Sequence, residues 1–243
     1  MRGLLLFALS FFTTFTLANN RVDVSIDYIT IAVKDLRKTA TLFSKKGFTL
    51  KKPHLYKTGP QSGLMTQSIR FKNGQYLQLV SPINDKGKLS QWYLRFLKNS
   101  EGAATLVLRR SKLEVLEKEL TKLKLACHYS KNDGHDWLSF KTDSPFQHLS
   151  FIDYKNQIQL PEEIFKHKNQ AFSFDKLVLT LHGDPISWAN IFTKAQARGI
   201  GVKISPTGYD SSVFVKEVYL LTTKKPLPTA FSIGGTKISF KSE

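Results

Sequence analysis

The sequence predicts an α+β fold built from repeated β-α-β-β-β units, and three observations predict it. Stretches that alternate apolar and polar residues, as half-buried strands do, are followed by stretches whose apolar residues recur at helical spacing. The same order, strand and then capped helix, starts three times at intervals of about 75 residues, the signature of an internal repeat. A chain of 243 residues that is 41% hydrophobic and 12% aromatic has the material for a sizeable core.

The first unit opens with "IDYITIAVKDLRKTATLFSKKGF", Ile26 to Phe48. "IDYITIAV" is β-rich, and Asp35 can cap the helix that follows. Leu36, Ala40 and Phe43 share one face of that helix, and Gly47 stops it. "TQSIRF" and "QYLQLVS" read as strands joined by Asn73-Gly74, a hairpin signal. A second unit starts at "AATLVLRR". Ser111 and Glu114 are spaced as a capping box, and the following helix has Leu113, Leu116, Leu120 and Leu123 on one side. "WLSFKT" and "FQHLSFIDY" are its later strands. The third starts at "FDKLVLTLHG", with Asp184 as cap, Pro185 in the first turn, a stripe of Trp188, Ile191, Phe192 and Ala195, and Gly199 as the stop. "VFVKEVYLL", "TAFSIG" and "TKISFK" supply its last strands, with "SIGGTK" as a hairpin turn.

The ends and joints follow from composition. Residues 1–18, "MRGLLLFALSFFTTFTLA", have a basic start, an apolar centre and small residues at Thr16 and Ala18. They are expected to be a signal peptide cleaved after Ala18, which implies a secreted or periplasmic protein; an uncleaved anchor is the alternative. No apolar run reaches the roughly 20 residues of a membrane span, so no stable insertion is expected after cleavage. The expected layout is two units over residues 22–155, a polar linker over 156–171 interrupted by Pro161, and a third βαβββ-like unit over 172–243. Cys127 is the only cysteine, so no internal disulfide can form, and it suits a buried structural thiol. The net charge is +17, or +16 once Arg2 is removed, which favours anionic partners. The lysines are spread along the chain without a basic tract or nucleic-acid motif, so no nucleic-acid partner is expected.

The order "D-Y-hydrophobic, D-L, G-F, Y-L-x-L" resembles the vicinal oxygen chelate superfamily, and more narrowly its glyoxalase-like proteins. The resemblance is good over residues 24 to 155 and looser in the third unit. It implies that two modules pair into a half-open barrel with the functional cleft inside and that a further module follows; since an unpaired module would expose a sheet face or edge, the third is expected to cap the sheet or to pair with its partner in a homodimer. It also implies a divalent metal held by an early histidine and a late glutamate. Here those positions are Tyr28 and Gln78. A phenol with a pKa near 10 and a neutral amide are poor ligands for such an ion. No metal, cofactor or catalytic residue is therefore assigned. The connector "HKNQA" is similar to the superfamily subgroup's His-Pro-Asn-Gly-Ala segment, keeping His167, Asn169 and Ala171 while departing at Lys168 and Gln170.

Seven residues are the ligand-binding candidates: Tyr28, Gln78, Trp92, Arg95, His148, His167 and Asn169. Tyr28 and Gln78 can hydrogen-bond a ligand or simply pack. Gln78 alternates with Leu77 and Leu79 and must face away from their layer. "WYLRFL" resembles the segment that covers the cleft, so Trp92, Tyr93 and Phe96 can wall a pocket, with Arg95 for an anionic group, or serve as core. His148 suits a structural role or a general base. His135, between Asp133 and Asp136, reads as a solvated turn, and His54 and His182 lack a second ligand at metal-site spacing. The resulting expectation is a metal-independent binder of a small, anionic or aromatic ligand. A divergent lyase or dioxygenase-type enzyme is the first alternative, and a basic envelope interaction protein the second.

Overall fold

The computed structural model describes residues 24–141, 143–156, 159–180, 184–194, the backbone of 201–205, and 214–243. The expected signal peptide, His182, Ala195 and Gly199 lie outside the described residues.

The first module is β1 (Ser25–Ala32), α1 (Leu36–Lys45), β2 (His54–Tyr56), β3 (Leu64–Arg70) and β4 (Tyr76–Pro82). β1 lies parallel to β4, and β4, β3 and β2 follow antiparallel. Asp35 Oδ1 accepts from the Lys38 N–H at 2.8 Å, so the expected cap starts α1. At the other end Gly47 takes φ +85°, and a Cβ there would stand 2.9 Å from the Asn169 nitrogen, so the stop needs glycine twice over. The Asn73-Gly74 turn joins β3 to β4 with Gly74 at φ +84°.

After α2 (Lys88–Asn99), the second module repeats the plan with β5 (Gly102–Arg109), α3 (Leu113–Lys122), β6 (Cys127–Lys131), β7 (His135–Phe140) and β8 (Leu149–Tyr154). β5 is parallel to β8, which continues antiparallel to β7 and β6. The expected Ser111–Glu114 capping box does not form. Lys112 instead sits at the N-cap in the left-handed region at φ 58°, without a side-chain cap, and its N–H is satisfied from outside the helix by Asp153 Oδ2 at 3.0 Å. The two modules join through antiparallel β1 and β5 to make the half-open barrel.

A 3-10 turn at Glu162–Phe165 leads into β9 (Ala171–Thr180), α4 (Pro185–Lys194), β10 (Gly201–Ser205), β11 (Val215–Thr222), β12 (Phe231–Ile233) and β13 (Thr236–Ser242). Asp184 caps α4 through the N–H groups of Ile186 and Ser187. This third unit splits into two shortened modules. β9 is parallel to β10, β11 is parallel to β13, and β9 and β11 are antiparallel. Those three relations repeat β1 with β4, β5 with β8, and β1 with β5.

β11 meets the edge of β5 at Val215 and Ala103, so all described strands form one 13-stranded sheet. The joint turns on the fully buried Thr236, whose hydroxyl accepts from the Ala103 N–H at 2.7 Å and donates to the Val215 carbonyl at 2.7 Å. Gly234 precedes it with φ +51°, and a Cβ there would lie 2.1 Å from the Glu101 carbonyl oxygen.

The main core lies on one face of the sheet. Phe43 of α1 and Leu113, Leu116 and Leu120 of α3 pack there over Ile29, Ile31, Leu79, Leu106 and Phe151, and the cluster continues to Trp188 of α4. α2 packs on the opposite face, with Trp92, Tyr93, Phe96 and Leu97 against Ala32, Leu64, Val80 and Ala104. No helix among the described residues is long and apolar enough to cross a membrane.

Candidate functional site

The face opposite α1 and α3 holds the candidate site. Strand alternation places Tyr28 and Thr30 of β1, Tyr76 and Gln78 of β4, and Thr105 and Val107 of β5 on that face, as the pairings Tyr28↔Tyr76, Thr30↔Gln78 and Thr30↔Thr105 require. Leu77 and Leu79 belong to the core on the other side, so Gln78 faces away from it, as its position between the leucines implies. α2 covers one end of this face. The Tyr93 hydroxyl lies beside the Thr30 and Thr105 side chains, and burial pushes the phenol up to about 12. Trp92 donates from Nε1 to Gln147 Oε1 at 2.9 Å.

The other end carries a row of rings and cations. The Arg70 guanidinium lies 3.6 Å from the centroid of the Tyr76 ring, and Tyr76 stacks on Tyr28 with centroids 4.4 Å apart. A register shift in β1 between Ile26 and Tyr28 leaves Asp27 as an extra residue. Its fully buried carboxylate accepts from Arg109 Nε at 3.0 Å and from the Tyr154 hydroxyl at 2.8 Å. Arg109 also lies beside the β3–β4 turn, 3.3 Å from where a Gly74 Cβ would stand.

This arrangement sets the charges. Burial is the main cause that raises Tyr28 well above the ordinary phenol value, with the Tyr93 and Tyr154 phenols and the Asp27 carboxylate adding to it. Burial does the same for Tyr76, with Arg70 pulling in the opposite direction. Tyr154 is raised by burial and by Asp27. All are neutral phenols at physiological pH, able to donate and accept. The two cations differ. Arg109 is paired with Asp27, whereas the Arg70 guanidinium has no carboxylate within 4.0 Å among the described residues, and its buried Nε has no hydrogen-bond partner. This face therefore presents, among the described residues, a cation without a carboxylate laid on an aromatic platform, which suits an anionic group on a flat or apolar body.

A divalent metal fits the same positions badly. Tyr28 is a protonated phenol in a ring stack, Gln78 is a neutral amide 3.5 Å from the Thr30 hydroxyl, and Asp27 is engaged by Arg109 and Tyr154. Among the described residues no group of three His, Cys, Asp or Glu side chains is placed to hold a metal.

Of the seven sequence candidates, Tyr28, Gln78, Trp92 and His148 share this face. His148 is buried, bonded through Nδ1 to the Ala104 carbonyl at 2.7 Å, and stacked on Phe214 with Trp92 alongside. Arg95 is exposed on α2. His167 and Asn169 lie elsewhere, in a clasp between the third unit and the first module. His167 accepts from the Thr49 N–H at Nδ1 and donates from Nε2 to the Arg70 carbonyl, both at 3.0 Å. Asn169 donates to the Lys46 carbonyl at 2.9 Å. His167 thus reaches the site only through the backbone of Arg70. The Phe174 N–H adds a second hold on the same hairpin by donating to Gln75 Oε1 at 2.9 Å.

Asp27, Arg70, Tyr76, Arg109 and Tyr154 escaped the sequence reading. One signal was available: an aspartate inside the apolar strand "IDYITIAV" must be either exposed or paired.

No family model and no curated protein matches the chain. Among solved structures, a hypothetical protein from Staphylococcus aureus aligns over 91% of this chain and all of its own length, with a TM-score of 0.65 at 13% identity, and so has the same fold. A hypothetical protein from Bacillus halodurans aligns over 56% of this chain with a TM-score of 0.42 at 15% identity. Methylmalonyl-CoA epimerase from Mycobacterium tuberculosis aligns over 54% with a TM-score of 0.41 at 14% identity.

Proposed function

We propose that this chain is an exported protein of the vicinal oxygen chelate type that binds a small anionic ligand without a metal. One observation carries the reading: Arg70 offers a guanidinium with no carboxylate partner among the described residues, laid on Tyr76, in a row whose other cation is neutralised by Asp27. The Tyr28 and Tyr76 rings give a ligand an apolar surface, and Gln78 gives it an amide. The donor set around Tyr28 supports metal independence, because it offers neutral phenols and an amide in place of anionic or imidazole donors.

The test is calorimetric titration of chelator-treated protein with a panel of aromatic and aliphatic carboxylates and phosphates. A member of the panel should bind without added metal and lose about tenfold or more in affinity with R70Q, as expected when a charge-assisted pair is broken. Binding that depends on a divalent ion, or that R70Q leaves unchanged, overturns the proposal.

A further inference from the structure

A second candidate site lies on the other side of the first-module sheet. A furrow of about 1080 Å³ runs between α1 and the β3–β4 pair, at the upper end of the volumes typical of small-molecule sites. It exists because α1 covers only part of that face. Phe43 is fully buried in the core, whereas Leu36 and Ala40 pack against that core only in part and also line the furrow, and the opposite wall is made by Met65 and Ile83. Ile83 is 54% exposed, among the few large apolar side chains left so open. The rim is cationic. Lys34, Arg37 and Lys168 line it, against a single lining carboxylate, Asp35, which is already engaged by the Lys38 N–H. Neither Lys34, Arg37 nor Lys168 has a carboxylate within 4.0 Å of its charged end among the described residues.

An apolar trough with unpaired cations at its edge matches a ligand that has an apolar chain and an anionic head. We infer that this furrow binds a single-chain anionic amphiphile, with its chain along Leu36, Met65 and Ile83 and its head between Arg37, Lys34 and Lys168. The site is separate from the Arg70 platform, which lies across the sheet and would take a different part of the ligand pool.

The experiment titrates the full chain with dodecyl phosphate below its micellar concentration, with inorganic phosphate and with vesicles of an anionic phospholipid. Dodecyl phosphate should bind saturably, inorganic phosphate should not, and I83D and R37E should each weaken binding by about tenfold or more. A saturable dodecyl phosphate site should remain in R70Q, which separates the outcome here from that of the Arg70 site. Equal binding by I83D, R37E and the parent chain overturns the inference, as does the loss of all saturable binding with R70Q. Equal affinity for inorganic phosphate reduces the site to a bare charge patch and also overturns it. Capture by vesicles in the absence of saturable binding to the monomeric amphiphile assigns the furrow to a membrane surface and overturns it as well. Thermal unfolding of I83D and R37E at the parent temperature excludes misfolding as the cause of any loss.

Discussion

The guanidinium of Arg70 lies 3.6 Å from the centre of the Tyr76 ring, and that ring in turn stacks on Tyr28. The contact fixes a cation that no carboxylate among the described residues holds. Y76L removes the platform and frees Arg70 to wander. A cation–π contact is worth about 0.5–2 kcal/mol, so ligand affinity should fall by about 2–30-fold. Y76F keeps the ring and should lose much less. Titration of both variants with the same carboxylate checks the difference.

Asp27 and Arg109 are bound differently from one another. The carboxylate is fully buried, while the Arg109 side chain is 40% exposed. Removing the arginine leaves a buried charge supported, among the described residues, only by Tyr154, and R109M should cost about 2–3 kcal/mol, below the range for fully buried pairs because Arg109 still sees water. Adding D27N to R109M removes the stranded charge and should recover part of that loss. A double-mutant cycle in urea measures the coupling.

His167 makes the clasp sensitive to acid. Burial lowers its pKa below the ordinary 6.5, and only the neutral ring can accept from Thr49 while donating to Arg70. The unfolded chain therefore binds the proton first. Stability from this residue is complete above about pH 6.5, falls as the pH drops below that, and levels off under the depressed folded value. H167F strands the Thr49 N–H and the Arg70 carbonyl, costs about 1–3 kcal/mol, and should flatten this part of the pH profile. Urea midpoints between pH 7.5 and pH 5 report both effects.

Thr236 is a second sensitive point. T236V keeps the shape and deletes the hydroxyl that both Ala103 and Val215 use, leaving a buried N–H without its acceptor. A loss of about 1–3 kcal/mol is expected. T236S, which keeps the hydroxyl, should lose less by the same urea assay.

Cys127 is half-buried at the start of β6, and burial, followed by Glu117, pushes its thiol up to about 11. At pH 8 only about one thiol in a thousand is then ionised, so alkylation of the folded protein by iodoacetamide should be slower than for a free cysteine by about two orders of magnitude. Labelling before and after denaturation gives the ratio.

Local chemistry was the part of the fold written most plainly in the sequence. Asp35, Gly47, the Asn73-Gly74 turn and Asp184 each act within a few residues of their partners, and each does what its residue type implies. Ser111 and Glu114 had the right spacing for a cap, yet Asp153 from β8 satisfies that helix end across 41 residues of chain. The division of the third unit into two short modules was hidden for the same reason, since strand pairing is non-local. At the site, Tyr28 and Gln78 were legible as a face by alternation. The Arg70–Tyr76 and Asp27–Arg109–Tyr154 partners were not, because nothing in one sequence says which strand ends meet.

The clasp between the third unit and the first two modules has a practical use. A chain broken after Asn156 would leave Thr49, Lys46 and Ala103 on one piece, with His167, Asn169 and Thr236 on the other. Each piece would hold half of every bond that joins them. The molecule is in that sense laid out as a split reporter, whose reassembly would restore the His167 support beneath Arg70 and could be followed by recovery of ligand binding.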